Sequence, residues 1–304
     1  MRGAFFEALA DLGAQDPRVL LLTADLGYLA IEPFTERCPE QFFNVGVCEQ
    51  NMAGMATGLA EAGFLPFIYS IAPFAVHRAY EFIRNGPIAQ RLPVRIVSVG
   101  AGFDYGTNGI SHYGLDDVGV LRVQPGLRII APADSAQARS ALLACWNLPE
   151  PFYFRLSKEP TVVHELGGRF RLNKVTVLRQ GSDVLLLALG NALQESLDAA
   201  DLLAKDGVSA TVGLVDNFNG PPLDEMVELL KSHRLTATVE EHYVNGGLGS
   251  MVSELVAESG AATRVFRCGV TAVPNGISGS RRYLLASNGI DAIGIAHRVR
   301  SAVQ

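Results

Sequence analysis

Short apolar runs recur along the chain, and between them apolar residues fall three or four apart. The runs occupy residues 18–23, 42–46, 65–69, 95–101, 127–131 and 152–156 in the first half, and 184–189, 210–215, 237–240 and 264–268 in the second. Uninterrupted runs of this length read as strands buried on both faces, as in parallel sheets. The first helix is expected over 3–13, where Phe5, Phe6, Leu9 and Leu12 share helical spacing and Asp16-Pro17 stops it. Further helices are expected from Glu49 onward, over 74–91, 135–146, 193–205 and 222–231, after the glycines of 246–249, and over 290–303. Strands alternating with helices predict an α/β chain of two doubly wound domains with mostly parallel sheets and right-handed crossovers. The polar stretch 157–171, broken by Pro160, Gly167 and Gly168, reads as the connector. The domains are therefore expected at 1–165 and 172–304, the second being the smaller.

Three places on this scaffold carry candidate chemistry. The turn 24–27 (Ala-Asp-Leu-Gly) lies at the carboxyl end of the first strand, where open parallel sheets collect ligands. Glu49 stands at a helix entrance among Val, Cys, Met and Ala. Burial there favours a protonated acid or a bond to a cofactor, whereas the plainer reading is a carboxylate stabilised by the helix dipole. The helix it opens is rich in Gly54, Ala56, Gly58 and Ala60, a composition weak by propensity that suits close packing against another backbone, often in another subunit. Finally, residues 100–114 hold five glycines together with Asp104, Asn108, Ser111 and His112. So many glycines imply a loop whose backbone approaches something closely. His112 alone reads as a structural histidine, but its loop follows a strand end.

Composition narrows the class. The 304 residues are 48% hydrophobic and 18% charged, and the net charge is −6. This suits a well-buried globular chain and argues against a general nucleic-acid binder. The four cysteines are isolated, without metal spacing, and read as reduced thiols of a cytoplasmic protein. The N-terminal segment has acidic residues where a signal peptide has an apolar centre, and no apolar run reaches the ~20 residues that cross a bilayer. No GxGxxG follows the first strand, which removes a generic dinucleotide-binding domain.

The segment NVGVCEQNMAGMATGLAEAG, starting at Asn44, closely resembles the segment of thiamine-diphosphate enzymes of the transketolase family that carries their cofactor-activating glutamate. The resemblance continues in VLLLTADLG upstream, and in PFIYSIAPFAVHRAYEFIRN, NGISHYGLDDVGVLRVQPGLRIIAPAD and VEEHYVNGGLG downstream. It covers essentially the whole chain, in the family's order. It implies a pyrimidine-binding domain followed by a transketolase C-terminal-type domain. Glu49 would then hold the cofactor's pyrimidine nitrogen as a neutral acid, Phe74 would pack on the ring, and Asp25 would lie near the thiazolium. His77 stands where many relatives place another aromatic, and Tyr80 continues that spacing on one helix face. His112 would contact substrate oxygens, and Arg155 and Lys158 fall in the segment that binds substrate.

The same resemblance exposes departures. The Gly-Asp-Gly motif that holds magnesium and the diphosphate is not found, so a separate subunit is expected to supply that site, in an α2β2 assembly. Asn108 replaces an aspartate that reads a sugar hydroxyl, Gly100 stands where a second histidine is usual, Leu29 replaces a serine, and Lys158 replaces a phosphate-binding arginine. Lysine keeps a point charge but loses the planar fork. The expected activity is transfer of a two-carbon ketol or acyl unit from a ketose or 2-oxo acid to an aldehyde acceptor. A 2-oxo-acid dehydrogenase β-subunit and a deoxyxylulose-phosphate-synthase-like enzyme share these features. A non-catalytic binding or regulatory subunit is the alternative of another class, against which an intact Glu49 and Phe74 stand.

Overall fold

The computed structural model describes residues 1–220, 223–274 and 276–303. Strands β1 (Val19–Thr23), β2 (Phe42–Asn44), β3 (Leu65–Ile71), β4 (Arg95–Val99), β5 (Arg128–Ile130) and β6 (Phe152–Leu156) form a parallel sheet. The second half supplies β7 (Thr176–Arg179), β8 (Val184–Leu189), β9 (Ala210–Val215), β10 (Asn217–Phe218), β11 (Leu235–Tyr243) and β12 (Arg264–Val270). The orders are β10-β5-β6-β4-β3-β1-β2 and β12-β11-β8-β9-β7. β1, β4, β6, β8 and β9 are buried along their whole length, which is why their sequences do not alternate.

Both sheets are mostly parallel, as expected, and each carries one antiparallel edge strand. β7 pairs antiparallel with β9. β10, only two residues long, leaves the second sheet and pairs antiparallel with β5 of the first, Asn217 opposite Ile130. The second half of the chain thus completes the sheet of the first. One apolar cluster also runs through both halves, joining Val118 and Leu121 to Leu187, Leu189, Val215 and Leu248.

The helix expected over 74–91 is broken into a π turn (Phe74–Arg78), one α turn (Tyr80–Ile83) and a second π turn (Arg84–Ile88). Pro87, inside the last turn, cannot donate to an α ladder. Gly86 beside it meets the small-residue helix Glu49–Glu61 so closely that an added Cβ would lie 2.3 Å from Thr57 Oγ1. That helix buries Met52, Ala53, Ala56 and Ala60, while Gly54, Met55 and Gly58 face outward. No helix is long and apolar enough to cross a membrane, among the described residues.

Candidate active site

In the first sheet, β1 connects outward to β2, whereas β3 lies on the other side of β1 and leads on to β4. The loops after β1 and β3 therefore part, which opens a crevice at the carboxyl edge, the usual place for a ligand in such sheets. Thr23 is level with Asn44 on one side and with Tyr69 on the other. Asp25 follows β1, Glu49 follows β2 and Phe74 follows β3.

Asp25 sits at φ 53°, a conformation few non-glycine residues adopt. Asn44 clamps it there. Asn44 Nδ2 donates to Asp25 Oδ1 (2.9 Å), and Asn44 Oδ1 accepts from the amides of Asp25 (3.1 Å) and Gly46 (3.0 Å). One side chain therefore ties the first strand end to the loop that delivers Glu49.

Glu49 is 1% exposed. Its setting differs from the purely apolar one the sequence suggests: Arg78 Nη1 donates to Glu49 Oε2 at 2.8 Å, and Ser70 Oγ reaches Oε1 at 3.5 Å. The Arg78 guanidinium also lies over the Phe74 ring, 4.6 Å from its centroid. A flat, N–H-bearing group thus already spans carboxylate and ring. The two are spaced to take a flat donor-bearing ring, and the residues present fit the aminopyrimidine half of thiamine diphosphate. His112 packs edge-on to Phe74 at 5.3 Å, its Nδ1 is 2.9 Å from Ser111 Oγ, and Tyr105 stands 6.1 Å away.

The expected Phe74, His77, Tyr80 stripe does not form. A π turn is wider than the 3.6-residue α turn, so the third residue on, His77, rotates away from Phe74, while the fourth, Arg78, stays beside it. His77 Nε2 instead pairs with Asp116 Oδ1 at 2.8 Å. That hydrogen bond holds the imidazole above its ordinary pKa, against the opposing effect of burial. Tyr80 donates to the Val120 carbonyl (3.3 Å). Both side chains thus bond to residues 116–120, at and within the helix Asp117–Arg122.

Asn108 is exposed on the glycine loop, bonded to Thr107 Oγ1 at 3.4 Å. What that loop approaches closely is the second domain. An added Cβ on Gly102 (φ +62°) would lie 2.5 Å from Glu241, and one on Gly106 would lie 2.4 Å from the Gly279 carbonyl. An added Cβ on Gly100 would lie 2.6 Å from the Tyr105 ring, which fills the space of any side chain there. Lys158 closes this side: its ammonium lies 5.2 Å over Tyr105, and its amide donates to Asp104 Oδ2 at 2.7 Å.

Arg155 is placed differently from a substrate contact. It is buried, with Nε on Asp117 Oδ2 (2.9 Å) and Nη2 on the Gly114 (2.7 Å) and Glu241 (3.0 Å) carbonyls. Glu241 in turn accepts from Asn191 Nδ2 and Arg281. Burial and the neighbouring Glu241 push Asp104 up to about 7 although Arg281 is nearby. For Asp117, burial alone would raise the pKa, but Arg155, His242 and Tyr153 together hold it below the ordinary value. This clasp, and Arg78 and Asn44 in the crevice, are not singled out by sequence patterns. Their signals are single polar residues within otherwise apolar runs or turns. No group of three or more His, Cys, Asp or Glu residues that could hold a metal occurs among the described residues.

Residues 1–162 match the family described as transketolase, pyrimidine binding domain, and residues 173–295 match transketolase, C-terminal domain. A putative transketolase C-terminal section from Methanocaldococcus jannaschii is 35% identical over 303 residues, 98% of this chain and 95% of that one. A subunit of the apulose-4-phosphate transketolase of Actinobacillus succinogenes is 32% identical over 86% of this chain and 85% of its own. A solved structure titled split gene transketolase, inactive beta4 tetramer, superposes with a TM-score of 0.90 at 33% identity, over 99% of this chain and 97% of that chain. With the strand-end crevice, the buried glutamate and the ring beside it in the matched segments, the chain belongs to the transketolase family.

Proposed function

We propose that this chain is the pyrimidine-domain half of a two-chain, thiamine-diphosphate-dependent transketolase that moves a two-carbon ketol unit from a ketose to an aldehyde acceptor. The observation that carries this reading is the planar guanidinium seated between Glu49 and Phe74. Bound thiamine diphosphate supplies the nucleophilic carbon that takes up the two-carbon unit. Glu49, whose side chain is buried, would hold a proton at the pyrimidine nitrogen, and Phe74 would fix the ring plane. Asp25, held by Asn44, would lie on the thiazolium side. His112 and Asn108 meet substrate oxygens, and Lys158 gives that wall a positive charge. His77 and Tyr80 hold the wall behind Phe74 through Asp116 and Val120. Arg155 acts at a distance, by fixing Gly114 and with it the end of the glycine loop.

Magnesium and the diphosphate fall to a partner subunit, in an α2β2 assembly. That a relative of nearly the same length is named as a subunit supports a partner, and the open glycine face of the Glu49–Glu61 helix supports close packing against another chain. Calorimetry tests this. The chain alone should show no submicromolar thiamine diphosphate binding, and the complex with its co-purifying partner should bind it; tight binding by the chain alone would falsify the two-chain reading. In that complex, Glu49→Gln should slow exchange of the thiazolium proton by orders of magnitude while leaving assembly intact. A wild-type exchange rate in that variant ends the assignment of Glu49.

A further inference from the structure

We propose that Arg78 is a built-in occupant of the pyrimidine seat, which the cofactor ring can enter only as the guanidinium leaves. The proposal deepens the function above and rests on it. The Arg78 guanidinium is flat, carries N–H donors on its rim and lies 4.6 Å over the Phe74 ring while bonding Glu49 Oε2 at 2.8 Å. These are the shape and donor character of an aminopyrimidine edge. The guanidinium occupies Oε2 and lies over the ring, the acceptor and the surface that an aminopyrimidine would compete for.

The burial of the two partners is unequal. The Glu49 side chain is 1% exposed, whereas that of Arg78 is 43% exposed. The carboxylate stays fixed at its helix entrance while the arginine has solvent to swing into. A buried carboxylate with only a 3.5 Å contact to Ser70 would be costly without a cation, so the free chain is stabilised by the very residue that fills its site. Arg78 reaches both groups because it stands four residues after Phe74, on the same face of that turn. The result is a chain whose cofactor affinity is reduced by the strength of its own internal contact.

Thiamine diphosphate binding is measured by calorimetry on the complex of this chain with its co-purifying partner. Arg78→Leu should bind about tenfold more tightly than wild type, the loss of one half-exposed ion pair and one cation–ring contact. Arg78→Gln, which keeps a planar donor without charge, should fall between them and provides the test if the leucine variant fails to fold. On a Glu49→Gln background, removing Arg78 should change affinity by less than about threefold, because the charged acceptor is already gone. Equal or weaker binding by a folded Arg78→Leu or Arg78→Gln complex overturns the proposal and leaves the function standing. A folded wild-type complex that binds no thiamine diphosphate overturns both.

Discussion

Replacing Arg155 separates a structural clasp from a substrate contact. In Arg155→Met the stem is kept and the guanidinium removed. Asp117 loses the bond at 2.9 Å and keeps only Tyr153 Oη at 2.6 Å, with its side chain 0% exposed. Breaking one side of a buried ion pair costs about 3–5 kcal/mol. The Gly114 and Glu241 carbonyls lose their shared donor as well, at about 1 kcal/mol each. The sum, about 5–7 kcal/mol, is large against the stability of most proteins. At about 2 °C per kcal/mol for a chain of this size, the melting temperature should fall by at least about 10 °C. Asp117→Asn alone should cost about 3 kcal/mol, since Arg155 keeps its carbonyl acceptors. The double variant should cost less than the sum of the two by about 2 kcal/mol. Denaturant unfolding of the four proteins measures this directly. A folded Arg155→Met that melts within about 2 °C of wild type, with a selective rise in substrate KM, would show that Arg155 faces substrate and that the clasp argument is wrong.

Two further outcomes are expected. Burial pushes Asp216 up to about 7, against the Asn217 and Gln137 amides that hydrogen-bond it. Its folded-state value exceeds its unfolded one, so its contribution is complete below the ordinary carboxylate range and is lost as pH rises through about 7; from pH 6 to pH 8 that is about 1.4 kcal/mol. Thermal melts at the two pH values should show a flatter dependence in Asp216→Asn by that amount, and an unchanged slope would remove Asp216 from the account. Lys158→Ala should alter the ratio of kcat/KM on phosphorylated and unphosphorylated acceptors by less than about fivefold, because the ammonium is exposed and lies over Tyr105. A selective loss well beyond that on the phosphorylated acceptor would show that Lys158 does the work of the missing arginine.

Strands such as β1, β4, β6, β8 and β9 were legible because burial on both faces leaves an uninterrupted apolar run, as in 184–189, whereas β7, a half-exposed edge strand, was not. Nor was β10, because two residues carry no period and their partners, Ile130 and Ile129, lie 87 and 89 positions earlier in the chain. Glu49, Phe74 and Asp25 could be placed because each follows a strand that the pattern reveals. Arg78 shares the Phe74 face in an α-helix as in a π turn, but its reach to Glu49, 29 positions earlier, is visible only in the folded chain. The π turn over Phe74–Arg78 that turns His77 away leaves no mark in the sequence, whereas Pro87 marks the second one, over Arg84–Ile88. Arg155 shows the same limit. Its neighbours in sequence suggest a ligand contact, but its partners are Asp117, Gly114 and Glu241, which only the folded chain brings together.

The crossing of β10 into the first sheet bears on how this chain can be divided. A break in the connector 157–171, the obvious seam in the sequence, would strip the first sheet of its Asn217–Phe218 edge and bare Ile129 and Ile130. A free apolar edge invites pairing with other chains. It would also separate Glu241 and Arg281 from the glycine loop they hold, so that the first fragment keeps Asp25, Glu49 and Phe74 but loses the supports of that loop. Expression of the two halves as separate genes is therefore disfavoured by the fold, however modular the two domains look in sequence.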